Sequence, residues 1–256
     1  MRPLHRKLVR DLWRLRTQVA TIALVVASGV GGFIGSLSTY DSLTEMRDAY
    51  YDSGRFGHLF VTAKRAPLRV LEQLRGVPGV IDAEASIVGS AMVTLPEVDE
   101  SMTGRVIALP PSGMPRINRV FLRAGRWLDP ADAEGALVSE AFARARGLEP
   151  GDHVTLLMNG RFERLQIRGI ALSPEYVFAA AHGAFADDTR YGVFWLSHAK
   201  VAAAYDMEGA FNAASFRVAR SASVAKTADA VDHWLARYGS TGAQGRADQP
   251  SDRALN

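Results

Sequence analysis

From Thr17 to Tyr40 the chain carries no charged residue, and its apolar positions follow neither a period of two nor a single helical stripe. The run reads TQVATIALVVASGVGGFIGSLSTY. A helix needs about 20 residues to cross a hydrocarbon core of ~30 Å, so this segment predicts one membrane span. Before it, Leu4, Leu8, Leu12 and Leu15 fall on one helical face. Arg6, Lys7, Arg10 and Arg14 spread over the rest, with Trp13 near the expected headgroup level. That pattern predicts a helix lying in the membrane interface over residues 1–16. After the span, DSLTEMRDAYYDS keeps helical character to Ser53, so residues 17–53 read as a span continued by a stalk. Within the span, Gly31 and Gly35 are four residues apart, as are Ser28 and Gly32. Such small faces let a second helix approach closely in lipid. A cleavable signal peptide is the competing reading, and Ser36-Leu37-Ser38 offers small residues for cleavage. The apolar stretch is longer than the usual signal core of about 7–15 residues, which favours the span.

Past Gly54 the pattern changes to short alternating runs divided by turn residues. His58–Ala63 predicts a strand, and Pro67–Arg75 a helix with Leu68, Leu71 and Leu74 on one face. Strands follow near Val80–Ser90, Ala91–Leu95 and Gly104–Leu109, and Pro110-Pro111-Ser112-Gly113 marks a subdomain boundary. Gly135–Ser139 predicts a strand. Ser139 then caps a helix Glu140–Arg146 that Gly147 ends. Val154–Met158 and Arg161–Ile170 read as a hairpin across Asn159-Gly160. Gly192–Leu196 and Phe211–Val218 are further strands, and Ser223–Tyr238 is an amphipathic helix. This order is α+β. The last strand and helix are expected to rejoin the first sheet. Residues 54–110 and 207–240 then form one subdomain, 111–206 an inserted β-rich lobe, and 241–256 a tail.

Charge adds orientation. Residues 1–16 hold six basic side chains against Asp11 and carry +5, so residues 17–256 carry −2 of the chain's +3. Because Lys and Arg stay in the cytoplasm, the N-terminus is expected inside and Tyr40 outside. The near-neutral remainder offers no basic face for nucleic acid. There is no cysteine, which excludes disulfides and thiolate chemistry. No Gly-rich loop with Gly-Lys-Ser/Thr, no His-Glu-x-x-His and no Gly-x-Ser-x-Gly occurs, and the six histidines share no ligand spacing. Ser139-Glu140 and Asp187-Asp188 could attract attention as carboxylate sites, and Gly183–Arg190 as a cation loop. A helix cap and a solvated loop explain them better. Tyr176, Phe178, Tyr191, Phe194 and Trp195 form an aromatic stretch best read as core. No catalytic, cofactor or metal residue is expected.

A resemblance rests on ordered motifs. Leu137-Val-Ser-Glu-Ala-Phe-Ala143, Gly147-Leu148, Gly151-Asp152 and Leu165-Gln-Ile-Arg-Gly-Ile170 are similar to the extracytoplasmic core domain of MacB-type and FtsX-like ABC-transporter permeases. Ala171–Tyr176, Asp206–Asn212 and Gly245–Gln249 look like one bacterial branch of that family. The resemblance implies a first span leading into a porter-like sheet with an inserted second lobe. It also implies a permease of the bacterial inner membrane that takes part in substrate export or extrusion and performs no catalysis itself. The implied partners are an ABC ATPase subunit that binds the ATP, a second permease subunit, the lipid bilayer and a periplasmic adaptor. The family has three further spans, whereas this chain stops at Asn256, so it reads as an N-terminal fragment. The competing functions are a single-span extracytoplasmic binding or sensor protein and a membrane-anchored enzyme.

Overall fold

The computed structural model of the chain describes residues 16–96, 102–176 and 187–248, together with Trp13, Val98 and Glu100. Two compact units are distinguished, residues 1–50 and 51–256. In the first, helix α1 (Arg16–Ser53) is unbroken over 38 residues, about 57 Å at the usual rise. Its stretch Arg16–Ser36 is long and apolar enough to cross a membrane, and none of it is buried. Apolar side chains such as Leu24, Val26, Val30 and Phe33 point out all round, as a lipid-facing helix requires. The hydroxyls of Thr21, Ser28, Ser36 and Thr39 donate back to carbonyls one turn earlier (2.9 Å each), so each finds a partner inside the helix. Beyond Ser36 the helix runs on for about 25 Å.

The second unit, residues 51–256, is built on two sheets. In the first, β1 (Leu59–Pro67) and β2 (Val80–Ser86) run parallel on either side of β10 (Ala210–Val218), and the two-residue β11 (Gln244–Gly245) adds to the outer edge of β1. Helices α2 (Arg69–Arg75) and α5 (Val224–Leu235) cover one face. Leu59, Val61, Leu74, Phe216, Val231 and Leu235 interlock there in a core that excludes water. Ser223 caps α5 by accepting the Lys226 N–H.

The second sheet closes on itself. β8 (Arg161–Leu172), β6 (Gly135–Ser139), β9 (Tyr191–Leu196), β4 (Met102–Ala108), β3 (Val88–Thr94) and β7 (His153–Met158) pair in that order, and β7 pairs back onto β8. β8 can close the barrel because it is 12 residues long: its first half pairs with β7, and its second half with β6 and β5 (Phe121–Gly125). Helices α3 (Glu140–Arg146) and α4 (His198–Ala204) pack on it. Gly104 and Gly192 face each other across β4 and β9, and a Cβ at either would lie 2.8 Å from the Phe194 ring. Their missing side chains make the space in which Phe194 meets Phe142 edge-on, with centroids 5.7 Å apart.

Most predicted elements form, with four local corrections. Pro67 does not open a helix. It pairs with Ala210 as the last residue of β1, and α2 begins at Arg69. The break between the second and third strands lies at Ile87 rather than Ser90, because Ile87 is the buried point where the chain passes between sheets. For the same reason Pro110 does not divide the two sheets. β3 and β4, assigned by sequence to the 54–110 subdomain, belong to the barrel, so the chain crosses first at Ile87 and returns before Ala210. Ser139 does not cap α3 with its side chain; its hydroxyl instead accepts the Val193 N–H of β9 at 3.2 Å. The Asn159-Gly160 turn is as expected, both residues having positive φ (48° and 81°).

Candidate functional site

Two clusters of the second unit join segments distant in sequence. The first, here called the base, lies where the chain leaves α1 and where it returns at residues 244–248. Tyr51, in the last turn of α1, is 1% exposed and stacks at 4.6 Å on Phe56, which lies 5.3 Å from Phe60. The Arg246 guanidinium sits over both the Tyr51 ring (5.4 Å) and the Phe56 ring (5.1 Å). The same fork donates to the carbonyls of Phe56 (2.9 Å) and Gly57 (3.3 Å), while the Arg246 N–H reaches the His58 carbonyl. His58 accepts the Val218 N–H on Nδ1, and burial followed by the charges of Arg246 and Arg217 holds its pKa below the usual value. The chain leaving α1 and the chain returning at residues 244–248 are thus clamped side by side through one arginine.

The second cluster is the seam between the sheets. Asn212 of β10 spends its whole amide on one residue of β3: its oxygen accepts the Val88 N–H (2.8 Å) and its nitrogen donates to the Val88 carbonyl (2.7 Å). It thereby replaces a strand neighbour where the chain crosses. Ser86 adds a bond to the Ala108 carbonyl. Asn118 accepts the Gly57 N–H (2.8 Å) and donates to Glu175 (2.6 Å) and Ser215 (3.2 Å). Glu175 also accepts from the Tyr176 hydroxyl (2.8 Å), and Arg105 lies over the Tyr176 ring. Burial pushes the Glu175 carboxyl upward, against the hydrogen bonds and the Arg105 charge. It pushes the Tyr176 phenol up further, helped by the Glu175 charge. Glu84 accepts the N–H groups of Arg116 and Ile117 across the seam. A void of about 50 Å³ remains between these groups, bordered by Ile107, Leu109 and Trp195. It is far smaller than a ligand pocket of ~300 Å³.

The profile of the family described as MacB-like periplasmic core domain matches residues 19–234. The chain belongs to this family. Its resemblance to MacB-type and FtsX-like permeases, read from the ordered motifs, is thereby borne out, as is the α+β class behind an N-terminal apolar helix. The family and the helix together fit a protein of the inner membrane. Among solved structures, the extracellular domain of the noncanonic ABC-type transporter YknZ from Gram-positive bacteria is similar at 15% identity and a TM-score of 0.46. That match covers 74% of this chain and 98% of the other. The periplasmic region of MacB from Actinobacillus actinomycetemcomitans matches at 9% identity and 0.45, over 80% and 93%. A domain of a permease from Porphyromonas gingivalis matches at 16% and 0.42, over 72% and 81%. No curated protein matches the chain.

Of the residues singled out by sequence, Arg6, Lys7, Arg10 and Arg14 lie outside the described residues, and Trp13 is exposed. Ser28, Gly31, Gly32 and Gly35 lie on the exposed surface of α1, and a Cβ at any of the three glycines would meet nothing within 4 Å. Of the aromatic stretch, Phe178 is outside the described residues, Phe194 enters the barrel core, and Trp195 joins a second core where Tyr176 meets it edge-on. Asp187 accepts from its neighbour Thr189 in a turn, and no group of three or more metal-binding side chains occurs among the described residues. The base and seam were missed. Their only sequence signal is that Arg246, Asn212, Glu175 and Tyr176 all lie in the segments Gly245–Gln249, Asp206–Asn212 and Ala171–Tyr176.

Proposed function

We propose that this chain is the first span and the extracytoplasmic, motion-transmitting domain of an ABC-transporter permease that works in export or extrusion. The observation that supports the reading is the Arg246 clamp, which ties Tyr51, Phe56 and Gly57 to the chain returning at residues 244–248. A displacement of α1 then reaches both sheets through β1 and the seam. ATP is bound by a separate ATPase, and the permease pairs with a second permease subunit. The N-terminus is cytoplasmic, and residues 51–256 lie outside.

Because the chain has no cysteine, single-cysteine labelling tests this without background. In cells with a permeabilised outer envelope, Ser240→Cys reacts with a membrane-impermeant maleimide, whereas Arg2→Cys reacts only after lysis. The reverse pattern rejects the orientation and with it the proposed function.

The small-residue face of α1 supports packing against other spans. Replacing both Gly31 and Gly35 by Leu fills that face with two large side chains. The expected outcome is that co-purification with the ATPase falls about tenfold or more, a coupling of ~1.4 kcal/mol. The melting of the outer domain stays unchanged. Full retention of the ATPase would mean that this face is not used.

A further inference from the structure

One residue of the base joins the first strand to both of its neighbours. His58, just ahead of β1, donates its N–H to the Phe216 carbonyl of β10 (2.7 Å), and its own carbonyl accepts the Arg246 N–H (3.2 Å). Its ring adds a third bond, Nδ1 accepting the Val218 N–H of β10 at 2.9 Å. A backbone N–H can only donate, so Nδ1 carries no proton and the neutral ring holds its proton on Nε2. A second proton must therefore go to Nδ1. It would turn the acceptor into a donor and set two N–H groups against each other.

The surrounding charge opposes that proton as well. Arg246 on the returning chain and Arg217 on β10 both disfavour a cationic ring, while Asp52 in the last turn of α1 acts the other way. The other nearby acids are engaged elsewhere. Asp82, opposite Arg217 on β2, holds Arg55 (3.1 Å) and Arg116 (3.2 Å), and Asp248 accepts the Gly245 N–H (3.2 Å). The Nε of Arg217 is buried without a hydrogen-bond partner. The ring itself is only half-buried, so solvent protons reach it.

We propose that His58 is an acid-sensitive latch on the Arg246 clamp: a proton on Nδ1 displaces the Val218 N–H, adds a positive charge beside Arg246 and Arg217, and frees the returning chain from the base. The sign follows from linkage. The clamped state keeps His58 neutral, and burial with the two arginines holds its pKa below the ordinary 6.5. The released state returns the ring to its ordinary value. The clamp is therefore fully held above about pH 6.5 and weakens as pH falls below it. The inference deepens the clamp reading given above. Its test does not depend on which side of the membrane the domain occupies, and the cysteine labelling decides that separately.

The experiment is hydrogen exchange of the full chain in lipid nanodiscs, taken from about pH 7.5 to about pH 5 and corrected for the pH dependence of the exchange chemistry. One proton can shift the release equilibrium by at most about tenfold per pH unit, so protection of Gly245 and Arg246 is expected to fall about five- to thirtyfold while the β1–β10 ladder stays protected. His58→Asn keeps an acceptor for the Val218 N–H but cannot become cationic, and is expected to abolish the response. His198→Asn alters the other histidine whose pKa burial lowers, and is expected to keep it. If His58→Asn does not fold, the parent decides alone: exchange of the His58 ring C2 hydrogen, followed by mass spectrometry, gives its titration, and loss of protection must follow that curve. The proposal is overturned by protection indifferent to pH, by equal loss in the β1–β10 ladder, or by His58 titrating at or above its ordinary value. A response that survives His58→Asn or vanishes with His198→Asn overturns it equally.

Discussion

Asn212→Ala lowers the unfolding free energy of the two-sheet unit by about 2–4 kcal/mol, because it strands a backbone donor and a backbone acceptor of Val88 together. Each orphaned buried group costs about 1–3 kcal/mol, and the site is only part-buried, which keeps the sum below the full range. For a unit of this size the loss appears as a fall in melting temperature of roughly 5–15 °C. Asn212→Asp separates the two bonds. Its carboxylate still accepts the Val88 N–H but faces the Val88 carbonyl with no proton to donate, so it does not restore stability. The seam is also where the chain crosses between sheets at Ile87, so Asn212→Ala should raise protease cleavage near residues 86–88 in the native protein. A melting temperature within about 1 °C of the parent would show that the amide bridge holds nothing together.

The second large effect is at the base. Arg246→Ala removes two charge-assisted bonds to the Phe56 and Gly57 carbonyls and the cation over two rings. Hydrogen bonds to charged groups contribute about 1.5–3 kcal/mol, and a cation over a ring about 0.5–2 kcal/mol. Partial exposure of the guanidinium brings the expected cost to about 2–3 kcal/mol. Arg246→Lys keeps the charge but not the fork that spans two carbonyls, and is expected to recover less than half. Hydrogen exchange distinguishes a local from a global loss. Amides of Gly245 and Arg246 should exchange faster while the β1–β10 ladder stays protected. If β11 remains as protected as in the parent, the clamp does not tie the returning chain to the helix end, and the proposed route for motion fails.

Why these two residues matter could not be seen in the chain. Asn212 lies inside a strand, where asparagine is uncommon, and Arg246 in a short turn, but neither position names its partner. Their roles arise from partners 124 and 190 positions away. The Ile87 crossing was hidden for a related reason. Val80–Leu95 is one nearly continuous β-forming stretch, and the choice of where to break it is made by which sheet each half can pair with. Pro110 looked like the boundary because prolines interrupt pairing locally. The sheets, however, divide where pairing partners change, and that is set at long range.

By itself the sequence determined the features that depend on neighbours in the chain. The absence of charge from Thr17 to Tyr40 dictates a long apolar helix, because only a helix satisfies its own backbone without water. Asn159-Gly160 dictates a tight hairpin, since both residues accept positive φ, and Gly147 ends α3 in the left-handed conformation for the same reason. Ordered motifs sufficed for the family. Only the tertiary structure decided that β8 closes a barrel, that Gly104 and Gly192 together make room for Phe194, that Asn212 pins one sheet to the other and that Arg246 clamps the base. Each of these depends on register between distant strands, and register is chosen by the sum of many burials and pairings that no local pattern encodes.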